Sequence, residues 1–223
     1  MTAARKRVLS PEERRRRNRE EMVEAILDVA REITREHGVA ALNLNEVARR
    51  VGVKTPSLYE YFPGKAALYD ELFQLGLRLY AEHTDRALAG ARDGRERLCL
   101  GIESYMSFAQ QYPELWALVF ERPVPGFVPS ERSMAESRER LAVATRFMEE
   151  AIQLGELTPG VRPDQARDFV IALMHGLAAA HMANEPELPI GSGRFGSLIP
   201  LAMQVLEAAW MPQQAREIQE GER

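Results

Sequence analysis

Apolar residues recur every three or four positions along most of the chain, and runs alternating with period two are almost absent. That pattern predicts helices and no sheet, an all-α fold of about nine helices. The first helix covers about residues 12–37. Met22, Ala25, Ile26, Val29, Ala30 and Ile33 form one apolar stripe on it, and Gly38 supplies the stop. Asn43 can cap the next helix, with Glu46 three residues on to complete a capping-box-like arrangement. This short helix turns Val47, Ala48 and Val51 inward and ends at Gly52. Thr55 suits the N-cap of a third helix and Pro56 its first position. Pro63-Gly64 stops that helix after about seven residues. A fourth, over about residues 65–91, would span roughly 40 Å.

Past Asp93-Gly94 the pattern predicts helices over about 95–111, 113–120, 130–154, 164–184 and 194–211. A loop with three prolines and a glycine fills 121–130, a turn falls at 158–163, and a Pro/Gly-rich loop covers 185–194. There is no internal repeat. The implied organisation is a basic arm at 1–18 open to disorder, a helix-turn-helix domain at 19–65 and a connecting helix at 66–93. An effector-binding and dimerisation domain at 94–212 and a polar tail at 213–223 complete it.

Charge changes this picture at one end. The chain carries a formal net charge of −4, yet residues 1–65 hold 14 basic and 10 acidic side chains, and the remainder holds 15 and 23. Residues 1–19 alone carry eight basic side chains against two acidic ones. A basic head on an acidic body points to a polyanion at the head only, or to a solvated basic tail. No apolar run approaches the ~18 residues of a membrane span, and no apolar stretch follows the basic start as in a signal peptide. With Cys99 as the single cysteine there is no internal disulfide, and no Cys/His cluster has metal-ligand spacing. The default is a cytoplasmic protein with no cofactor and no membrane partner.

Two short helices joined by a tight glycine-containing turn match the helix-turn-helix pattern. The second turns Leu58 and Phe62 inward and leaves Lys54, Thr55, Ser57, Tyr59 and Tyr61 outward. So short a helix depends on tertiary packing. Hydroxyls plus one lysine suit phosphate and base-edge hydrogen bonding in a major groove. The plain alternative is a helical corner with surface tyrosines.

Residues 19–73 resemble the DNA-binding domain of the TetR family of repressors. The elements that carry the resemblance are Ile26-Leu27-Asp28-Val29-Ala30, Glu36-His37-Gly38, Glu46-Val47-Ala48, Gly52-Val53, Ser57-Leu58-Tyr59-Glu60-Tyr61-Phe62 and Lys65-Ala66-Ala67-Leu68. Asn43 and Lys54 stand where family members often carry Thr and Ser. The resemblance implies that Asn43, Lys54, Thr55, Ser57, Tyr59, Tyr61 and Lys65 contact DNA. Lys65 would combine its charge with the amides of a helix N-terminus on one phosphate. Tyr59 would place its ring on the core and its hydroxyl on a phosphate. Arg14–Arg17 would add phosphate or minor-groove contacts, or form a solvated helix end.

The rest of the chain says less. The segment 171–177 resembles the Trp-His-Gly type of C-terminal domain found in some TetR-like regulators, with Met174 in place of the Trp. His175 either hydrogen-bonds an effector or is a satisfied core group beside Gly176. His181 lies six residues on and off that face, which argues against a shared metal site. Candidates for an effector pocket are Tyr105, Met106, Phe108, Ala109, Trp116, Phe120, Phe147, Met148 and His175, a set that suits a mostly apolar ligand if it is not plain core. Cys99 reads as core, not as a redox switch.

The helices at about 164–184 and 195–211 carry apolar residues on more than one side, so each is buried twice. The resemblance implies a homodimer joined by these two helices from each partner. A thick single-chain core is the alternative. A two-fold dimer would set two recognition helices in successive major grooves of a double-stranded, near-palindromic operator. A small effector acting on 95–120 would then swing the fourth helix and change their separation. A regulator without a small-molecule effector, controlled by a protein partner or by abundance, is the other reading. An enzyme is not implied: there is no paired nucleophile and base and no phosphate loop, and only His175 would offer hydrolysis of a small ester or lactone.

Overall fold

The computed structural model describes residues 10–158 and 160–210, and among them every regular element is helical. Helix α1 spans Pro11–His37. Ser10 and Glu13 form a reciprocal capping box, with Ser10 N–H donating to the Glu13 carboxylate at 2.7 Å and Glu13 N–H to the Ser10 hydroxyl at 3.1 Å. Pro11 follows at the first helical position, where a missing N–H costs nothing. The arm expected over 1–18 is therefore helical from Pro11 on. Residues 1–9 and the expected tail at 213–223 lie outside the described residues.

Helix α2 covers Leu44–Val51, and Asn43 caps it by accepting from Asn45 N–H at 2.9 Å. Glu46 does not close the expected box but binds Arg49 and Arg50. Gly52 takes the left-handed conformation (φ 83°), with its own N–H donating to Arg49 and Val53 N–H to Ala48. A residue with a Cβ would be strained there, so the glycine sets the turn. Helix α3 spans Thr55–Leu58, shorter than the seven residues expected, and Lys54, not Thr55, holds the N-cap position. Pro56 is tolerated in the first turn because those N–H groups have no helical acceptor. The chain then tightens: Glu60 N–H reaches Ser57, and both Tyr61 and Phe62 N–H reach Leu58. Pro63 excludes helical backbone at the residue before it, so the helix cannot run further.

Helix α4 (Lys65–Leu88) leaves the head and enters the body. The body adds α5 (Gly94–Gln111), α6 (Pro113–Trp116), α7 (Glu131–Gln153) and α8 (Pro163–Asn184). A single turn α9 (Gly193–Gly196) and α10 (Ile199–Trp210) close it. Two expectations change here. Residues 113–120 begin as α6 but widen into a π-helical turn over Ala117–Glu121, ending at Arg122 with φ 51°. The expected last helix splits in two because Pro200 offers no N–H to Gly196 and its ring would clash with that carbonyl.

The core is continuous from head to body. Ile26, Ala30 and Ile33 of α1 pack with Val47, Ala48, Leu58, Phe62, Leu68 and Leu72, all nearly inaccessible. Tyr69 donates to Val39 O at 2.7 Å, and burial pushes its hydroxyl up to about 12. In the body α5 lies at the centre, packed by α4, α6, α8 and α10. Where the π-helical turn packs on α4, Gly76 lets the two approach closely: a Cβ there would meet Val119 Cγ2 at 2.7 Å, so that side chain would have to move. No helix among the described residues is long and apolar enough to cross a membrane.

Candidate nucleic-acid interface and effector cavity

The head presents α3 on the packing of α2. Leu58 is its single fully buried anchor, with Phe62 just beyond. Asn43, Lys54 and Tyr59 are exposed, Tyr59 by half its surface, whereas Thr55, Ser57, Tyr61 and Lys65 are half-buried. The Arg19 guanidinium lies 5.1 Å from the Tyr61 ring centroid and donates twice to Glu60 O at 3.2 and 3.3 Å. Arg19 thus ties α1 to the end of α3, a role that no spacing in the sequence announced. Lys65 Nζ donates to Ala40 O at 3.1 Å and sits 5.3 Å from the Tyr69 ring centroid, so its charge is anchored beside the start of α4. The α4 N-terminus has Gly64 as its cap and no side-chain capping bond, leaving first-turn amides for an external acceptor.

Behind α3, Glu46 accepts from Arg49 and Arg50, and Arg50 also donates to Glu36 at 2.7 and 3.1 Å. Hydrogen bonds from Arg49 and then Arg50 hold the Glu46 carboxyl down to about 2. This network locks α2 to α1 from the solvent side, while Val47 and Ala48 lock it from the core.

Two polar clasps join head and body. The Glu114 carboxylate is 1% exposed and accepts from Arg31 Nε at 3.1 Å and from Arg35 Nε and Nη2 at 3.2 and 3.1 Å. It ties α1 to α6. Asp70 of α4 accepts from Ser130 N–H at 2.7 Å, Ser133 Oγ at 2.8 Å and Gln74 Nε2 at 3.2 Å, tying α4 to the start of α7. Burial pushes the Asp70 carboxyl up, but the bonds from Ser130, Ser133 and Gln74 outweigh it and leave the group below the usual range. A carboxyl lowered on folding contributes stability above its unfolded value near 3.9, lost as pH falls through the folded value. Asp70→Asn is therefore expected to lower the melting temperature at neutral pH, and the gap to the parent should narrow below about pH 4. Melting curves across pH 3–7 test this; a constant gap would assign the loss to shape and not to charge.

The body holds a cavity of about 170 Å³ among α4, α5, α7 and α8. Tyr80, Thr84, Asp85 and Leu88 of α4 form one wall, and Arg97, Leu98 and Gly101 of α5 another. Arg140, Val143, Ala144, Phe147 and Met148 of α7 face Arg167, Val170, Ile171 and Met174 of α8. Of the expected pocket set only Phe147 and Met148 line it. Tyr105, Met106, Phe108, Ala109, Trp116, Phe120 and His175 do not. They sit beyond Tyr80, whose ring packs edge-on against Tyr105, Phe108 and Phe120 at 5.2–5.8 Å between centroids. For Tyr105, Met106, Phe108 and Ala109 the reason is the central position of α5: touched on several sides, it buries them in packing. His175 bonds the Tyr105 hydroxyl through Nδ1 at 2.8 Å and stacks on Trp116 at 5.4 Å, with both rings in that packing. Cys99 is half-buried, and burial pushes its thiol up. Among the described residues no group of His, Cys, Asp and Glu is arranged to hold a metal.

A helix-turn-helix head with a basic edge, riding on a helical body through one shared helix, defines a DNA-binding regulator. Comparison with known proteins makes this specific. Residues 26–72 match the family model described as bacterial regulatory proteins, tetR family. The chain is 27% identical over 157 residues to the HTH-type transcriptional activator FasR of Mycolicibacterium smegmatis, covering 70% of this chain and 68% of the relative. It is 28% identical over 155 residues to the HTH-type transcriptional regulator Rv1816 of Mycobacterium tuberculosis, covering 66% and 63%. The match thus spans about two thirds of these relatives' length. In fold it is similar to FadR from Bacillus subtilis in complex with stearoyl-CoA (TM-score 0.65, 19% identity, 82% of this chain and 96% of that one). It is likewise similar to AibR in complex with isovaleryl coenzyme A and operator DNA (TM-score 0.62, 15% identity, 82% and 95%). Through residues 26–72 the chain is thus similar to the tetR family of DNA-binding transcriptional regulators. The family model ends at residue 72, so the Trp-His-Gly type of C-terminal domain is not part of what these likenesses show.

Proposed function

We propose that the chain is a homodimeric, cytoplasmic repressor that leaves a near-palindromic operator when a small, mostly apolar effector fills the body cavity. The observation that carries this reading is the sharing of α4. Its first half packs Leu68 and Leu72 into the head, and its second half supplies Tyr80, Thr84, Asp85 and Leu88 to the cavity wall. A ligand that prefers one position of that wall shifts the head with it. The two similar structures solved with acyl-coenzyme A ligands support a ligand-holding body of this kind.

In this reading Asn43, Lys54, Thr55, Ser57, Tyr59 and Tyr61 meet bases and phosphates, and Lys65 with the α4 amides meets a phosphate. Selection of bound duplexes from a random pool should return an inverted repeat with half-sites about one helical turn, roughly 34 Å, apart. A metabolite screen should then release the protein from it. No preferred duplex would end the proposal.

In the same reading the dimer forms through α8 and α10. Phe169, Leu201 and Val205 are each more than half exposed, and Ala172 and Gly176 on the same side of α8 allow close approach. Phe169→Arg with Val205→Glu is expected to give a folded monomer by sedimentation and to weaken operator binding at least about a hundredfold, because two linked half-sites become one. A variant that stays dimeric would move the interface elsewhere. The relative named an activator supports a second reading in the sign of control alone. Transcription from the selected operator, with and without protein, separates the two.

A further inference from the structure

The cavity wall is apolar in its interior, yet three guanidiniums line it: Arg97 from α5, Arg140 from α7 and Arg167 from α8. Asp85 is the one carboxylate in the lining. We propose that the site takes an amphipathic anion, with a hydrocarbon tail between α5, α7 and α8 and a carboxylate or phosphate head on Arg97 and Arg140. This rests on the cavity being the effector site and adds the class of its ligand.

The argument is one of unused donors. Arg140 gives one bond to Asp85 at 3.0 Å, and Arg97 one loose contact to Glu150 at 3.5 Å. Their carboxylate partners are 64% and 59% exposed. Exposed pairs of this kind contribute little, and an arginine has five N–H donors in a fixed fork. Arg167 is better satisfied, by Thr145 Oγ1 at 2.6 Å and Asp168 at 2.8 Å, so it acts as a fixed positive wall. A neutral hydrocarbon would leave Arg140 and Arg97 with only their single solvent-facing carboxylate contacts, and a cation would be repelled by three guanidiniums. A bidentate anion takes the place of the solvent-facing carboxylates and forms charge-assisted bonds. Arg97 also lies 5.6 Å over the Phe147 ring, which aligns its plane beside the apolar interior.

The test is calorimetry on the full chain with octanoate and oleate, their methyl esters and their coenzyme A thioesters. The anionic probes should bind at least about tenfold tighter than the methyl esters, as one or two charge-assisted bonds require. In an Arg97→Gln/Arg140→Gln variant with unchanged melting temperature, that contrast should vanish. Preference for the free acids assigns a carboxylate head; preference for the thioesters assigns a phosphate-bearing one. Methyl esters binding as tightly as the acids, no binding by any anion, or a contrast that survives the double substitution would each overturn the proposal. The effector reading fails separately: if anions bind with the expected contrast yet never change affinity for the selected operator, the anion site stands and its regulatory role falls.

Discussion

Glu114→Ala is expected to lower the free energy of unfolding by about 3 kcal/mol, among the largest losses available to a single polar substitution here. The carboxylate is 1% exposed and satisfies two guanidiniums from α1 with three hydrogen bonds. Its removal leaves Arg31, only 20% exposed, with a distant ion pair to Asp28 at 3.9 Å and the Tyr112 ring, whereas Arg35 at 52% can rehydrate. That asymmetry is why the cost should fall short of the upper range for a fully buried triad. Glu114→Gln keeps the shape and one acceptor oxygen and should lose less. Urea denaturation with a constant slope gives the values. A Glu114→Ala protein as stable as its parent would show that the clasp contributes specificity only. The substitution also removes one of the two polar ties between head and body, so the response of operator binding to any effector should weaken beyond what stability alone explains.

Leu58→Ala should cost about 3 kcal/mol and abolish specific DNA binding. Leu58 is fully buried, and α3 is a single turn with no other fully buried side chain of its own. Without it, the backbone bonds that Tyr61 and Phe62 make to the Leu58 carbonyl lose their packing support, and Lys54 and Tyr59 are no longer held in one orientation. Tyr59→Phe is the control: half exposed, it should leave stability unchanged while removing one hydroxyl. Fluorescence anisotropy on the selected operator measures both. Undiminished affinity in Leu58→Ala would mean that the groove-reading surface is not α3.

How much of this was readable beforehand differs between head and body. In the head, function depends on local signals: Asn43 before an apolar pattern, Gly52 at a left-handed stop, Pro56 in a first turn, Pro63 after a last one. Each acts within a few residues, so its consequence is visible in the string. Even there, long-range partners were invisible. Arg19 on Glu60, Arg50 on Glu36 and Lys65 on Ala40 join residues 14 to 41 apart. In the body the aromatic residues of α5 were legible as inward-facing, but not which inward space they face.

Periodicity and stop signals alone determined that the chain is helical, where its long helices run and which short pair forms the helix-turn-helix head, because those choices are decided by local backbone preference and one apolar stripe. Only the tertiary structure decided that Glu114 and Asp70 clasp head to body, that Trp116 packs in the core with His175 bonded to Tyr105 beside it, and that three arginines from three helices line one cavity. Those outcomes depend on how helices far apart in sequence cross, and a crossing angle is a property of two surfaces together, written in neither one.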